Sequence, residues 1–377
     1  MQAFVNLFPN ALQLPWGRLS DRVGRRVPFL VFGTILSASI FLLIAASASP
    51  WQLIFLVMVQ AIAVSMVAPN WSALLGEKAQ FGTRGRVFGS LSRVGGATSL
   101  AGTILAAVIV FNAPQTEAHP FQLSFVIAAV VGIVSGLVLL LIREPRSGGG
   151  DGNPAAPEPE DPRRRAEFRY FTKVQSFYNF FMSLAWPLIP ITVADVLGAS
   201  NLDIVMITIV SALSSIALQT QVGRLLDRVG PVALIQASRF LFVLVPLAYG
   251  LANSLFWIYL ISALMGVPVA IVNIAFNAYI LDVAPRRKHA EYFGLFNGAI
   301  GIVTFAGSLV GGYLARGLAT VWPGNLWLAL LVVYMISFVG RAAGAFLCLR
   351  IPESPGYPER AGAVWRRFEH NLANGRH

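Results

Sequence analysis

Cysteine occurs once in this chain, at Cys348, so no intrachain disulfide framework can hold it together. One thiol and four histidines also leave no Cys/His spacing of the kind that structural zinc requires. Charge is nearly as sparse. Only 12% of the 377 residues are Asp, Glu, Lys or Arg, roughly half the share in an ordinary soluble domain, while 56% are hydrophobic. A mean hydropathy of +0.68 excludes a soluble globular chain and points to a membrane protein. Acidic residues are scarcer than basic ones, 17 against 28, and no basic stretch precedes the first apolar residues, so the start reads without a cleavable signal peptide.

What fills the chain is a succession of apolar stretches near the roughly 20 residues that a helix needs to cross a bilayer. They run near 27–48, 50–75, 87–111, 121–142, 172–197, 204–222, 231–252, 254–281, 293–315 and 325–349. Such lengths predict an all-α, polytopic fold rather than the short alternating strands of a barrel. Breaks such as SASP at 47–50 and ANS at 252–254 separate them. The excess of basic residues, net +11, alternates with the loops. Arg18, Arg22, Arg25 and Arg26 share one loop, and the same side collects Lys78, Arg84, Arg86, the 143–173 connector, Arg224, Arg228, residues 286–288 and the 350–376 tail. The opposite loops hold Arg316 alone. By the positive-inside rule the basic loops and the C-terminus are expected in the cytoplasm, with the chain in the cell's inner (plasma) membrane. A nucleic-acid surface would cluster its bases without that alternation, so no nucleic-acid partner is expected.

One stretch, SGGGDGNPAAPEPEDPRRR at 147–165, is rich in Gly, Pro and acid and then turns basic, the composition of a solvated linker. It divides the chain into an N-terminal bundle (1–146), a linker (147–168), a C-terminal bundle (169–350) and a tail (351–377). The two bundles repeat each other. GRLSDRVG at 17–24 meets GRLLDRVG at 223–230, VFG at 87–89 meets YFG at 292–294, and AGTIL at 101–105 meets AGSLV at 306–310, at offsets of 205 or 206 residues. The basic motif falls on the same side each time, so the repeats run parallel, one of the architectures of secondary transporters.

GRLSDRVGRR at 17–26 resembles the loop of the major facilitator superfamily between its second and third helices, matching glycine, leucine, aspartate, arginine, glycine and two further basic residues in order. The copy at 223–230 is similar to the weaker form between the eighth and ninth helices, with Pro231 where the basic pair would stand. The resemblance implies two parallel-repeat six-helix bundles that move a small solute through the bilayer by alternating access, as a monomer and without a cofactor. It leaves open the direction, efflux included, and coupling to protons or another ion. Only 16 residues precede Gly17, whereas two complete spans precede Gly223, so the first family helix and about half of the second are expected to be absent from these residues, leaving about 11. The repeat implies roughly 35 to 45 further residues upstream. The resemblance also implies a latch in which Arg22 belongs to the motif and Asp21 meets a helix start near 290–294. Arg25 or Arg26 then reaches Glu77. By pseudo-symmetry Asp227 meets the helix start near 86–89 and Arg228 lies near Asp282. Gly17, Gly24, Gly223 and Gly230 would allow close approach and a tight turn.

No Asp, Glu or His lies at the middle of a span, and His119, His289, His370 and His377 fall in loops or the tail. The candidate pocket is therefore neutral to cationic. It comprises Gln60, Arg93, the set Tyr178, Asn179 and Trp186, the pair Asn273 and Asn277 one helical turn apart, and Asn297. Arg93 can hold an anionic group or snorkel to the interface, and each asparagine can equally be glue between helices. Arg239 and Arg341 read as bundle supports. The glycine runs at 95–102 and 307–312 lie inside spans and read as close helix crossings rather than phosphate loops. The run VMVQAIAV at 57–64 has no arginine and RVGGATSLAG at 93–102 has no proline, so two features of the family's antiporters are missing. With no carboxylate pair, His cluster or nucleophile with its base, no enzyme is expected. A channel, a uniporter-like facilitator or a non-transporting membrane scaffold stands as the alternative.

Overall fold

In lipid, each backbone N–H and C=O must find its partner inside its own segment, so apolar runs of this length become helices. The computed structural model describes residues 9–78, 83–111, 119–142, 144 and 161–354. Eleven long helices follow one another there: α1 (Gln13–Val23), α2 (Val27–Ala45), α3 (Pro50–Lys78), α4 (Arg84–Phe111), α5 (His119–Leu139), α6 (Pro162–Ala185), α7 (Asn201–Val229), α8 (Pro231–Leu251), α9 (Leu255–Val283), α10 (His289–Val321) and α11 (Leu326–Cys348). No strand occurs among the described residues. Ten stretches, all except α1, are long and apolar enough to cross a membrane. Large apolar side chains such as Phe55, Val131 and Phe346 point outward, as a lipid-facing surface requires.

Local chemistry sets the helix ends. Proline suits a first helical turn because its missing N–H would be unpaired there anyway. Thus α6 starts at Pro162, inside the stretch expected to be linker, and Arg163 Nε pairs with Glu167 Oε1 one turn on at 3.3 Å. The α6 axis stops at Ala185, before Trp186 and Pro187, and resumes as a short helix (Leu188–Ile191) and a π-turn (Thr192–Val196). A capping box opens α7: the Ser200 hydroxyl accepts from Asp203 N at 3.2 Å and the Asp203 carboxylate accepts from Ser200 N at 2.9 Å. His289, expected in a loop, is buried at the start of α10.

Two compact units are present. One contains the described residues of Met1–Lys78, Ser99–Asp161 and Ala284–Leu309, and the other those of Ala79–Thr98, Pro162–Val283 and Val310–His377. In the first, α2 packs on α3 and α5 around Ile40, Ile44, Leu56 and Ala63. In the second, α8 packs on α9 and α11, α7 on α9, and α6 on α11, with Leu184, Ile258, Ile261, Val333 and Tyr334 in the core. Arg239 and Arg341 are buried in this second core. Arg239 Nε donates to Gln175 Oε1 at 2.8 Å, and its guanidinium lies 4.4 Å from the Tyr178 ring centroid and 4.8 Å from that of Phe276. Arg341 donates to the carbonyls of Phe242 and Met182 at 3.0 and 3.1 Å. Backbone carbonyls, an amide and aromatic faces thus take the place of carboxylates in tying α6, α8, α9 and α11 together. The glycine runs divide. A side chain at Gly96 or Gly311 would press on Ile216 or on the Leu184 backbone, whereas Gly95, Gly102 and Gly312 have no neighbour within 4 Å. Only part of each run therefore makes the close crossing expected of the whole.

Candidate functional site

The first charged motif closes α1. Gly24 takes a left-handed conformation (φ 68°) that any side chain would strain, and its N–H returns to the Ser20 carbonyl at 2.9 Å. One face of α1 meets the start of α10 in the first unit. A Cβ on Gly17 would collide with the Ala290 carbonyl, and one on Gly294 would lie 2.7 Å from Leu14 Cα. This close approach brings the Asp21 carboxylate to the N-terminus of α10, where Oδ2 accepts from Glu291 N at 2.8 Å. The other oxygen accepts from Arg26 Nη1 at 2.8 Å, and Arg18 Nε pairs with Glu291 Oε1 at 2.9 Å. Burial pushes the Asp21 carboxyl above the usual carboxylate range, against the pull of Arg26 and of the Glu291 and Ala290 N–H groups. The helix N-terminus supplies a partly positive pole for that charge.

The second motif builds the same arrangement in the second unit. Gly230 closes α7 with φ 86°, and its N–H bonds the Leu226 carbonyl at 2.9 Å. Gly223 and Gly85 face each other so closely that a Cβ on either would meet the other's carbonyl. Asp227 lies at the start of α4, with Oδ1 accepting from Gly85 N at 2.7 Å and Oδ2 from Arg86 N at 3.1 Å. Arg86 Nε is 3.3 Å from the same Oδ2, with 64% of its side chain exposed. Residues 17, 21, 24 and 290 thus correspond to residues 223, 227, 230 and 85. Pro231 and Val232 follow the second motif where Arg25 and Arg26 follow the first, and the arginine that pairs with Asp227 is the exposed Arg86.

Of the other expected pairs, the one between Arg25 or Arg26 and Glu77 rests on a side chain outside the described residues; Arg26 pairs with Asp21, and Arg25 is exposed. Asp282 is engaged by Arg84, whose position at the start of α4 brings it nearer than Arg228. Two carboxylates went unnoticed in the sequence. Glu144 accepts from Arg26 N at 2.6 Å and Val27 N at 3.0 Å, so it caps α2. Glu353 accepts from the backbone N–H of Val232, near the start of α8. The Glu-Pro at 144–145 and Pro-Glu at 352–353, 209 residues apart, were the available signal.

Glu353 also sets a pH dependence. Burial pushes its carboxyl up to about 7, with the Ser354 and Val232 N–H groups opposing. A folded-state value above the unfolded 4.5 means that its stabilising contribution is full below pH 4.5 and is lost as pH rises through about 7. Glu353→Gln should therefore flatten the fall in melting temperature across that window. Melting curves of the purified variant with an unchanged slope would refute this.

The pocket candidates fall apart into separate environments. Tyr178 is fully buried and donates to the Arg239 carbonyl at 2.8 Å, so it serves the core of the second unit and is withdrawn as a solute contact. Asn179 is buried with Nδ2 on the Gln175 carbonyl at 2.8 Å, and Trp186 is half-buried at the α6 break. Asn297 Nδ2 donates to Gln13 Oε1 at 2.6 Å, making it part of the α1–α10 junction. Gln60 is half-buried, Arg93 is exposed, and Asn277 Nδ2 donates to the carbonyl of exposed Asn273 at 2.8 Å.

Helices of membrane-spanning length, a parallel repeat and a doubled Gly–Asp junction define a class of membrane protein, and comparison with known proteins gives it a name. The family model described as the Major Facilitator Superfamily matches residues 2–183 and, a second time, residues 172–373. The chain belongs to that family and is a multi-pass membrane protein. The uncharacterized MFS-type transporter MJ1560 of Methanocaldococcus jannaschii is 32% identical over 122 residues, 32% of this chain and 32% of that protein. The uncharacterized MFS-type transporter Rv1877 of Mycobacterium tuberculosis is 28% identical over 133 residues, 35% of this chain and 19% of that protein. The matches thus span a third or less of these relatives' lengths. Among solved structures, the human organic anion transporter MFSD10 (TETRAN) superposes with a TM-score of 0.71 at 17% identity, covering 92% of this chain and 82% of that one. The transporter FucP in its outward conformation gives 0.62 at 12% identity, covering 91% and 90%. These two likenesses show the fold.

Proposed function

We propose that the chain is a secondary active transporter that moves a small solute across the cell's inner membrane by alternating access, as a monomer with its C-terminus in the cytoplasm. The doubled junction carries this reading. Each copy joins segments of the two sequence repeats, α1 to α10 and α7 to α4, through a glycine contact and one carboxylate on backbone N–H groups. Such contacts are specific yet weak enough to reverse, about 0.3 to 2 kcal/mol each for a carboxylate at a helix N-terminus. A carrier needs that property on the side it closes and reopens. The relatives are named as transporters, which fits a role other than catalysis.

The neighbours' names, an organic anion transporter and, for Escherichia coli FucP, a fucose:proton symporter, carry different solutes, so neither is transferred to this chain. Gln60, Arg93, Asn179, Trp186, Asn273 and Asn277 are the proposed solute contacts. Saturable uptake with counterflow in proteoliposomes would separate a carrier from a channel, and uptake that fails to saturate would count against the carrier. For a ligand found by thermal-shift screening, Asn273→Ala or Asn277→Ala should weaken binding about tenfold, the loss of one or two hydrogen bonds, with the fold retained. Unchanged affinity in both variants removes this pair from the pocket.

A further inference from the structure

The first unit holds a cavity of about 480 Å³ between the end of α1 and the 3₁₀ turn (Arg286–Lys288) that precedes α10. Its lining carries four basic side chains, Arg18, Arg22, Arg287 and Lys288, and two acidic ones, Asp21 and Glu291. Both acids are engaged: Asp21 by Arg26 and the Glu291 N–H, and Glu291 by Arg18. Arg22 and Arg287 form no ion pair with any described residue and are exposed. The lining therefore presents an excess of two positive charges, four minus two, in a space within the usual range for small-molecule sites.

We propose that this cavity binds a phosphate-bearing dianion, held by Arg22 and Arg287. A phosphomonoester carries about −1.5 to −2 charges at neutral pH, which matches that excess, and guanidinium groups bind phosphate through paired N–H bonds. Because α1 supplies Arg18 and Arg22 while the segment before α10 supplies Arg287 and Lys288, the ligand bridges the same two elements that Asp21 joins. Its occupancy would hold the junction closed, a regulatory input from the charged face of the membrane. The site stands on the cavity and its charges, and only this regulatory consequence rests on the transporter reading. Free phosphomonoesters and the monoester headgroup of phosphatidic acid share this chemistry.

Inorganic phosphate titrated calorimetrically into the full chain, in nanodiscs of phosphatidylcholine alone, should bind saturably and more weakly as salt rises. The double variant Arg22→Gln/Arg287→Gln should lose about tenfold or more in affinity, while Arg22→Lys/Arg287→Lys, which keeps the charge, retains part of it. If phosphate does not bind but phosphatidic acid nanodiscs raise the melting temperature of the wild type and not of the Gln variant, the occupant is a headgroup. Neither phosphate binding nor a variant-dependent lipid effect, or phosphate affinity unchanged in the Gln variant, overturns the proposal. Asp21→Asn separates the two readings. It removes a lining negative charge, so phosphate affinity should hold or rise, even where that variant shows no effect on the junction.

Discussion

Replacing Asp21 with Asn is expected to lower transport severely and to shift the resting population toward the inward-facing state, with expression and membrane orientation retained. The amide can still accept one bond from Glu291 N, but it has no charge to set against the positive pole of α10. It also removes the charge that Asp21 sets against the Arg26 guanidinium, which is 4% exposed. Removing one partner of a buried pair costs about 3 to 5 kcal/mol when the remaining charge cannot reach water. Asp21 already lies above the usual carboxylate range, so the effect should sit at or below the lower end of that figure, still enough to invert a balance of a few kcal/mol. The measurement is labelling of cysteines introduced on the cytoplasmic side, in a background lacking Cys348, together with uptake of a solute found by screening. Equal labelling and equal transport in wild type and variant would mean that the junction is not a latch.

A side chain at Gly17 or Gly223 should do more damage than the loss of the carboxylate. At both positions the obstructing atom is a backbone carbonyl, of Ala290 in one case and of Gly85 in the other, and neither can rotate aside as a side-chain tip would. Gly17→Val and Gly223→Val must push the paired helices apart, which breaks the bonds from Glu291 N to Asp21 and from Gly85 N to Asp227. Each is expected to raise cytoplasmic labelling to at least the level of Asp21→Asn and to reduce transport to near background. Gly95→Ala and Gly312→Ala, at positions with no neighbour within 4 Å, serve as controls and should behave as wild type. Normal labelling in both valine variants would show that the close approach is dispensable.

The spans and the all-α fold were legible because the bilayer leaves few options: a run of some 20 apolar residues must be a helix, and the loops mark its limits. Charged segments that continue a helix beyond the apolar window were not legible. Residues 162–168 of α6 read as linker although proline and an Arg163–Glu167 pair extend the helix there. Side-chain partners were harder still. Periodicity says which residues share a face, not which helix that face meets, so Tyr178 looked like a pocket residue while it packs under Arg239. Arg84 and Glu144 carry no local pattern at all. Their partners, Asp282 and the Arg26–Val27 backbone, lie more than a hundred residues away.

The loss of the arginine pair after the second motif gives the duplicated junction an asymmetry with a temporal meaning. At Asp21 the neutralising arginine is buried, and a buried pair is little affected by ionic strength. At Asp227 the two residues after the motif are Pro231 and Val232 in place of an arginine pair, and the ion-paired charge belongs to Arg86, most of which is in solvent and therefore screened by salt. Two contacts of equal shape but unequal shielding do not release together. On the transporter reading, the α7–α4 contact yields first as salt rises and the α1–α10 contact last, so the residues after each motif turn a symmetric clasp into an ordered one.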